Sequence, residues 1–302
     1  MFFRLCRIEL GKTFRRKDLY VSLALVLLFI SIYSIGFAWQ SWERYFQRQK
    51  ATIYNGLKYY VERIEHRPFR IEDFTNGLFF TGMAVAFSFY LLMPIVASLI
   101  GGVQLAGEAK DGTLRAVLIR PVSRTQLLLA KFGVSVVYLT VVIAIYFGVT
   151  VALGVSVFGW DRIIAFNNVF MQVGEGRGAF WIMQPDDALQ RLAMVCALGG
   201  YSMLVVVSLS LFLSSIFDNP IVPIVGGIGI YFISYILGQL SEGFFEHIRE
   251  YLFTTHMGFW RSLFAKEIPW HTVRTDLLWC TGYTAAFLLA AIVVFRVRDV
   301  KS

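Results

Sequence analysis

The sequence predicts an all-α integral membrane protein with six transmembrane helices, on three observations. First, the 302 residues are 57% hydrophobic and 16% aromatic but only 16% charged, with a mean hydropathy of +0.63, an apolar balance foreign to water-soluble domains. Second, six stretches reach the roughly 20 apolar residues that a helix needs to cross a hydrocarbon core: residues 19–39, 78–105, 132–158, 192–217, 221–240 and 277–295, none holding a Lys, Arg, Asp, Glu or His. Third, charge is lopsided. Six crossings put both termini on one side, and the segments on that side hold 14 of the 28 bases but only six of the 20 acids, so the whole net charge of +8 lies there. Lys and Arg flanking spans are retained in the cytoplasm, so both termini are expected inside a cell (cytoplasmic or inner) membrane, with loops 40–77, 159–191 and 241–276 outside. Residues 1–302 then form one transmembrane domain, and nucleic acid is not needed to explain the basic balance.

Before the first span, Phe2, Phe3, Cys6, Leu10 and Phe14 fall on one helical face and Arg4, Arg7, Gly11 and Arg15 on the other. This stripe predicts an amphipathic interfacial helix with its bases at anionic headgroups; the plainer alternative is a solvated basic tail. The first span follows a basic start as a signal peptide would, but 21 apolar residues are too many, and an uncleaved anchor is expected. The Arg15–Arg16 pair reads as an orientation signal.

The first outer loop repeats Trp42, Tyr45, Phe46, Ile53, Leu57, Tyr60, Val61 and Ile64 at helical spacing, predicting surface helices broken at Asn55–Gly56 and Arg67–Pro68. In the loop after the third span, Gly174, Gly176 and Gly178 resemble a phosphate cradle only superficially, because a dinucleotide fingerprint needs a preceding strand and a following helix. Gly11-Lys12-Thr13 fails as a phosphate loop because Cys6 stands where its first glycine belongs. Only Asp218, Asn219 and Pro220 join spans four and five, which therefore form a hairpin. Glycines at 226, 227, 229 and 238 make span five a candidate for close helix contact. Phe244, Phe245, Ile248, Tyr251 and Leu252 share a face, predicting short amphipathic or re-entrant helices before span six, with an ordinary surface loop as the alternative.

Catalytic and metal constellations are thin. His66, His247, His256 and His271 have no partner spacing for a metal site and no nearby Cys, and Glu246, His247 and Glu250 read as the wet face of an amphipathic helix. Cys6, Cys196 and Cys280 are expected as free thiols. No catalytic residue and no metal ligand is expected, and no cofactor bound by this chain. Charges inside a bilayer mark ion or proton pathways; with none in the spans, active transport would have to be powered from outside the chain.

The informative segment is the inner loop between spans two and three. It runs Glu108-Ala109-Lys110-Asp111-Gly112-Thr113-Leu114-Arg115, then Arg120-Pro121-Val122-Ser123-Arg124 and Leu127-Leu128-Leu129-Ala130-Lys131. Local rules predict two short helices around a corner, with Asp111 or Thr113 capping the first, Pro121 ending it and Ser123 capping the second. Glu-x-x-x-Gly-Thr-Leu-Arg followed by Pro-Val-Ser-Arg resembles the inner loop of permeases in the type-two exporter family of ATP-binding cassette (ABC) transporters. The amphipathic first helix, six spans and outer helices before span six extend the resemblance over nearly the whole chain; the first outer loop is longer than the simplest family members need. The resemblance implies cytoplasmic coupling helices that dock on a separate ABC ATPase through Glu108, Asp111, Gly112, Thr113, Leu114, Arg115, Pro121, Val122, Ser123 and Arg124. ATP and magnesium would be bound by that ATPase subunit. A second permease copy or paralogue and the lipid bilayer are the other implied partners, with an extracytoplasmic partner at the long outer loop as an option. Phe89, Gly226, Gly227, Tyr231 and Tyr235 are candidates for the pathway or the dimer interface, or equally for plain helix packing. Two alternatives stand beside an export permease: ATP-driven motion passed to an outer partner without transport, and a membrane-integral enzyme using outer-loop acids and histidines.

Overall fold

A computed structural model of the chain describes residues 2–15, 17–66, 68–114, 123–166, 180–240 and 244–298. It begins with helix α1 (Phe2–Arg15) and α2 (Lys17–Trp39), followed by two short helices, α3 (Trp42–Gln49) and α4 (Ala51–Tyr59). Helices α5 (Gly77–Tyr90) and α6 (Leu92–Lys110) lead to the inner loop, and α7 (Arg124–Phe158) returns. A hairpin of β1 (Ile163–Phe166) and β2 (Phe180–Met183) precedes α8 (Pro185–Ser202), α9 (Leu204–Ile216) and α10 (Ile221–Gln239). Helices α11 (Phe244–Arg249) and α12 (Phe253–Met257) and a 3-10 turn (Gly258–Phe264) end at α13 (Trp270–Val297).

Six helical segments are long and apolar enough to cross a membrane: Tyr20–Trp39, Leu92–Lys110, Arg124–Phe158, Pro185–Ile216, Ile221–Gln239 and Trp270–Val297. The chain is a multi-pass helical membrane protein. Helix α6 is its axis, packing on α2, α5, α7, α9 and α10. The apolar window of α6 is 83% buried, against 22% for α2 and α10 and 11% for α13, so those three outer helices offer their apolar faces to lipid. Close approach around α6 depends on glycine: a Cβ at Gly101 would run into the Val207 carbonyl oxygen of α9, and one at Gly227 of α10 into the Ser210 hydroxyl.

The stretch read as a single second span is two helices meeting at Leu91. Pro94 has no N–H to give and its ring crowds the carbonyl four residues back, that of Tyr90. Tyr231 of α10 donates its hydroxyl to that carbonyl at 3.3 Å, so the acceptor that Pro94 frees is satisfied within the apolar core. Helix α7 has 35 residues, about 52 Å at 1.5 Å each, and so reaches well past a hydrocarbon core.

The two ends of the bundle differ. The proximal end carries α1, the roots of the inner loop, the 217–220 hairpin turn and the end of α13; the distal end carries α3, α4, the β-hairpin, α11 and α12. The first outer loop is helical as expected, but its break falls at Lys50. Helix α4 runs straight through Asn55–Gly56, because Gly56 packs against the Phe180 ring, where a Cβ would lie 2.8 Å away. The β-hairpin was not expected; strands of four residues carry too little alternation to show in a sequence. Residues Gly174, Gly176 and Gly178 lie outside the described residues. The distal layer is tied down: Arg162 forms a two-pronged pair with Glu65 at 2.7 and 3.0 Å, and Asn76 caps α5 while donating to the Arg162 carbonyl at 2.8 Å. The helices between spans five and six bury Phe253, Met257, Phe259, Trp260, Leu263 and Phe264.

Candidate functional site

At the proximal end, the structure gathers four charges that the sequence scatters over 122 positions. Lys131, in the second turn of α7, is 1% exposed. Its Nζ lies 2.9 Å from Glu9 Oε2 of α1 and 2.8 Å from Glu108 Oε2 of α6, the latter an ion pair outside hydrogen-bond geometry. Lys12, one turn along α1, bonds the other Glu9 oxygen at 2.8 Å and approaches Glu108 at 3.7 Å. Burial pushes the Glu9 carboxyl up, but Lys131 and Lys12 outweigh it and hold Glu9 below the ordinary glutamate value. Buried charges persist only when paired and bonded, and here two carboxylates meet two ammonium groups.

This cluster revises the reading of the spans as free of charge. The apolar stretches 78–105 and 132–158 stop three residues short of Glu108 and one short of Lys131, yet the helices continue and both side chains are buried. A signal for it was present: Glu9 is the sole acid before Asp18, among six bases. Among the described side chains of α1, Glu9 and Thr13 are buried while Ile8 is 41% exposed, so Glu9 docks the helix on the bundle; the side chains of Phe2, Phe3 and Phe14 in the predicted stripe lie outside the described residues.

The inner loop grows from this cluster by ordinary helix-end chemistry. Gly112 ends α6 with φ +68°, a left-handed turn that glycine adopts without penalty; its N–H reaches the Ala109 carbonyl at 3.1 Å. Thr113 donates its hydroxyl to the Glu108 carbonyl at 3.3 Å. In Glu-x-x-x-Gly-Thr, then, the acid anchors the helix end, the glycine turns the chain and the threonine closes the turn. Ser123 caps α7 as expected, in a reciprocal box: it accepts the Gln126 N–H at 3.2 Å while the Gln126 side chain accepts the Ser123 N–H at 3.3 Å. Leu114 is 1% exposed, set in an apolar cluster with Leu105, Leu127, Leu128, Leu211 and Phe295.

Arg124 faces the bundle. Its guanidinium donates to the carbonyls of Phe295 at 2.9 Å and Arg298 at 2.6 Å, a cation on the carbonyl-rich end of α13 where the helix dipole favours it. Arg298 in turn donates to the Ser215 carbonyl at the end of α9, at 2.8 Å, and pairs with Asp218. The chain ends of α1, α6, α7, α9 and α13 are thereby fastened to one another, with Asp111, Gly112, Thr113 and Ser123 left exposed. Arg115, Pro121 and Val122 lie outside the described residues.

The other sequence candidates divide. Gly226 and Gly227 pack on α9, a Cβ at Gly226 lying 3.1 Å from Leu213, so both act inside the chain. Phe89, Tyr231 and Tyr235 come together at the distal end, beside the kink at Leu91: the Tyr90 ring lies tilted 5.6 Å from both Tyr235 and Trp260, and Phe89 tilted 5.6 Å from Trp260. Among the described residues there is no group of three or more His, Cys, Asp or Glu able to hold a metal. Of the outer-loop acids and histidines, His256 is bonded between Asp276 at 2.8 Å and the Glu250 carbonyl at 2.9 Å, while His247 is exposed.

These features define a six-span membrane protein with a charge-fastened proximal end. The chain belongs to the family described as a protein of unknown function, DUF2705, whose model matches residues 51–301. No curated protein matches it.

Proposed function

We propose that this chain is the permease subunit of an ABC transporter, with the proximal end cytoplasmic and the loop 111–123 serving as the docking elbow for a separate ATPase subunit. One observation carries the reading: the elbow leaves the bundle between two helices, α6 and α7, whose ends are joined by the buried Glu9–Lys131–Glu108 cluster. A push on a loop rooted in loose helix ends is lost in local motion. A push on this root moves α1, α6 and α7 together, and through Arg124 and Arg298 also α13 and α9, which is what rigid-body alternation between two states requires. In this reading Glu108, Leu114 and Arg124 set the elbow's base, and the exposed Asp111, Gly112, Thr113 and Ser123, with Arg115, Pro121 and Val122, meet the ATPase. ATP and magnesium bind there; the second permease copy or paralogue packs on lipid-facing helices.

The version without transport, in which motion passes to an extracytoplasmic partner, draws support from the distal layer, where the Arg162–Glu65 pair links the first outer loop to the β-hairpin. Co-purification of the tagged chain from its own membrane tests the main reading. A stoichiometric ATPase that is lost with Arg115→Glu is expected; a chain that purifies alone, with ATP hydrolysis in the preparation indifferent to that substitution, would sink it. Deleting residues 44–66 separates the two versions, since only the partner-signalling one loses its output while ATPase coupling survives.

A further inference from the structure

The distal pocket offers a site that the permease reading does not use. Its walls come from four places in the chain: Phe89 and Tyr90 at the α5–α6 kink, Met203 at the α8–α9 junction, Tyr231, Tyr235 and Gln239 on α10, and Arg249, Thr254, Thr255, Met257, Gly258, Trp260 and Arg261 in the segment before α13. The cavity measures about 60 Å³. At roughly 15 Å³ of such space per water it has room for about four waters, the size of one small ionic group and far below any whole cargo.

The chemistry of the lining has one sign. Among the described residues, Arg249 and Arg261 are its charged lining and no Asp or Glu lines it. The Arg261 guanidinium lies 5.8 Å over the Tyr90 ring, with Nε donating to the Gly258 carbonyl at 3.1 Å, which holds the fork in place and leaves its two Nη groups without a protein acceptor among the described residues. Arg249 has its backbone carbonyl engaged by Thr255 at 2.8 Å, while its guanidinium meets no carboxylate or carbonyl among the described residues. Tyr235 and Gln239, whose hydroxyl and amide can donate, also line it. Two guanidiniums beside an aromatic wall, with neutral donors around a space of this size, are complementary to a tetrahedral or planar oxyanion.

We propose that this pocket binds a phosphate group, and that the phosphate is carried by an anionic membrane lipid. The mouth argues for that source: Ile236, Leu240 and Tyr251, next to the lining residues Tyr235, Gln239 and Arg249, are 58%, 39% and 68% exposed. They sit where α10, one of the lipid-facing helices, reaches the membrane surface. A lipid phosphate in the pocket leaves its chains along α10 and spans the kink of α5–α6 and the helices before α13, so occupancy ties those three parts together. The site is independent of the docking elbow and stands or falls without it.

The test uses the full chain in mild detergent, with native mass spectrometry during titration with phosphatidylglycerol. One lipid bound per chain is expected, at least tenfold weaker in Arg249→Gln and in the Arg249→Gln/Arg261→Gln double variant, restored in Arg249→Lys, and unchanged in Arg48→Gln, an exposed arginine on α3 at the same end. Among the described residues, Arg249→Gln removes no hydrogen bond or ion pair of the fold, and an unchanged thermal transition verifies that. Displacement of the lipid by inorganic phosphate would place both in one pocket. Arg249-dependent binding of inorganic phosphate with no lipid binding would support the pocket and assign it to a soluble phosphate. Lipid and phosphate binding that ignores Arg249, or that Arg48→Gln weakens equally, would overturn the proposal.

Discussion

Replacing Lys131 with Met removes the buried ammonium that pairs closely with both Glu9 and Glu108 while preserving the length of the side chain. Two carboxylates would then face each other in a space where Lys131 was 1% and Glu9 2% exposed, with only the half-exposed Lys12 beside them. Breaking a buried pair by deleting one partner costs about 3–5 kcal/mol, whereas replacing the whole group with neutral side chains of similar volume is often neutral or stabilising. At about 2 °C per kcal/mol, the low end expected for a chain of this length, Lys131→Met should lower the thermal midpoint by about 6–10 °C. The triple variant Glu9→Gln/Glu108→Gln/Lys131→Met should recover most of that loss. Tryptophan fluorescence during heating of the purified chain reads both. The single variant carries a second signature in pH: Lys131 helps hold the Glu9 carboxyl below its ordinary value against the upward push of burial, so its loss removes a stabilisation present only while Glu9 is ionised, and the deficit should shrink as pH falls from 8 to 5. A single variant within ~1 kcal/mol of wild type, or a triple variant no better than the single one, would show that the cluster does not hold α1 to the bundle.

Three further outcomes follow from the same geometry. Gly112→Ala should cost about 1–2 kcal/mol, the penalty of a side chain at positive φ, and Gly112→Asn less; thermal unfolding of both variants measures the difference. A Cβ at Gly227 meets the Ser98 hydroxyl at 2.8 Å as well as Ser210, while one at Gly229 meets nothing within 4 Å, so Gly227→Ala should destabilise by about 1–3 kcal/mol and Gly229→Ala should not, in the same assay. For His256, burial lowers the imidazole value, but Asp276 and the Glu250 carbonyl outweigh it and raise the net value. A raised folded value means a contribution fully present below the unfolded value of about 6.5, and lost as pH rises through the folded one. The cost of His256→Gln should therefore be largest near pH 5.5 and fade toward pH 8.5, and a cost that grows with pH would refute the Asp276 pairing.

Much of the architecture was legible from composition and period alone. Membrane-spanning helices must satisfy their own backbone, so long apolar runs have one structural outcome: all six are helical over nearly their whole length, with 78–105 and 192–217 broken once each, at Leu91 and Met203. Helix-end chemistry is local too: Ser123 caps α7 as its position requires, whereas Thr113, expected to cap a short helix of the inner loop, closes the end of α6 through the Glu108 carbonyl. Local rules also explain the misplaced break in the first outer loop: Asn55–Gly56 carries a turn signal, but the glycine is there for the Phe180 ring of a strand more than a hundred residues away, and distance in sequence hides that kind of cause.

The sequence by itself determined the class of the protein, the number of spans, the grouping of the termini and the small motif at the end of α6, because solvent and backbone hydrogen bonding act on each segment separately. Only the tertiary structure decided that Glu9, Glu108 and Lys131 share one buried site, that Arg124 turns back to cap α13, and that Phe89, Tyr231 and Tyr235 close a pocket with Arg249 and Arg261. The physical reason is the range of the forces. Apolar burial is set residue by residue, but whether a charge faces water or a partner depends on which helices pack, and close packing around α6 is specified by side chains far apart in the chain.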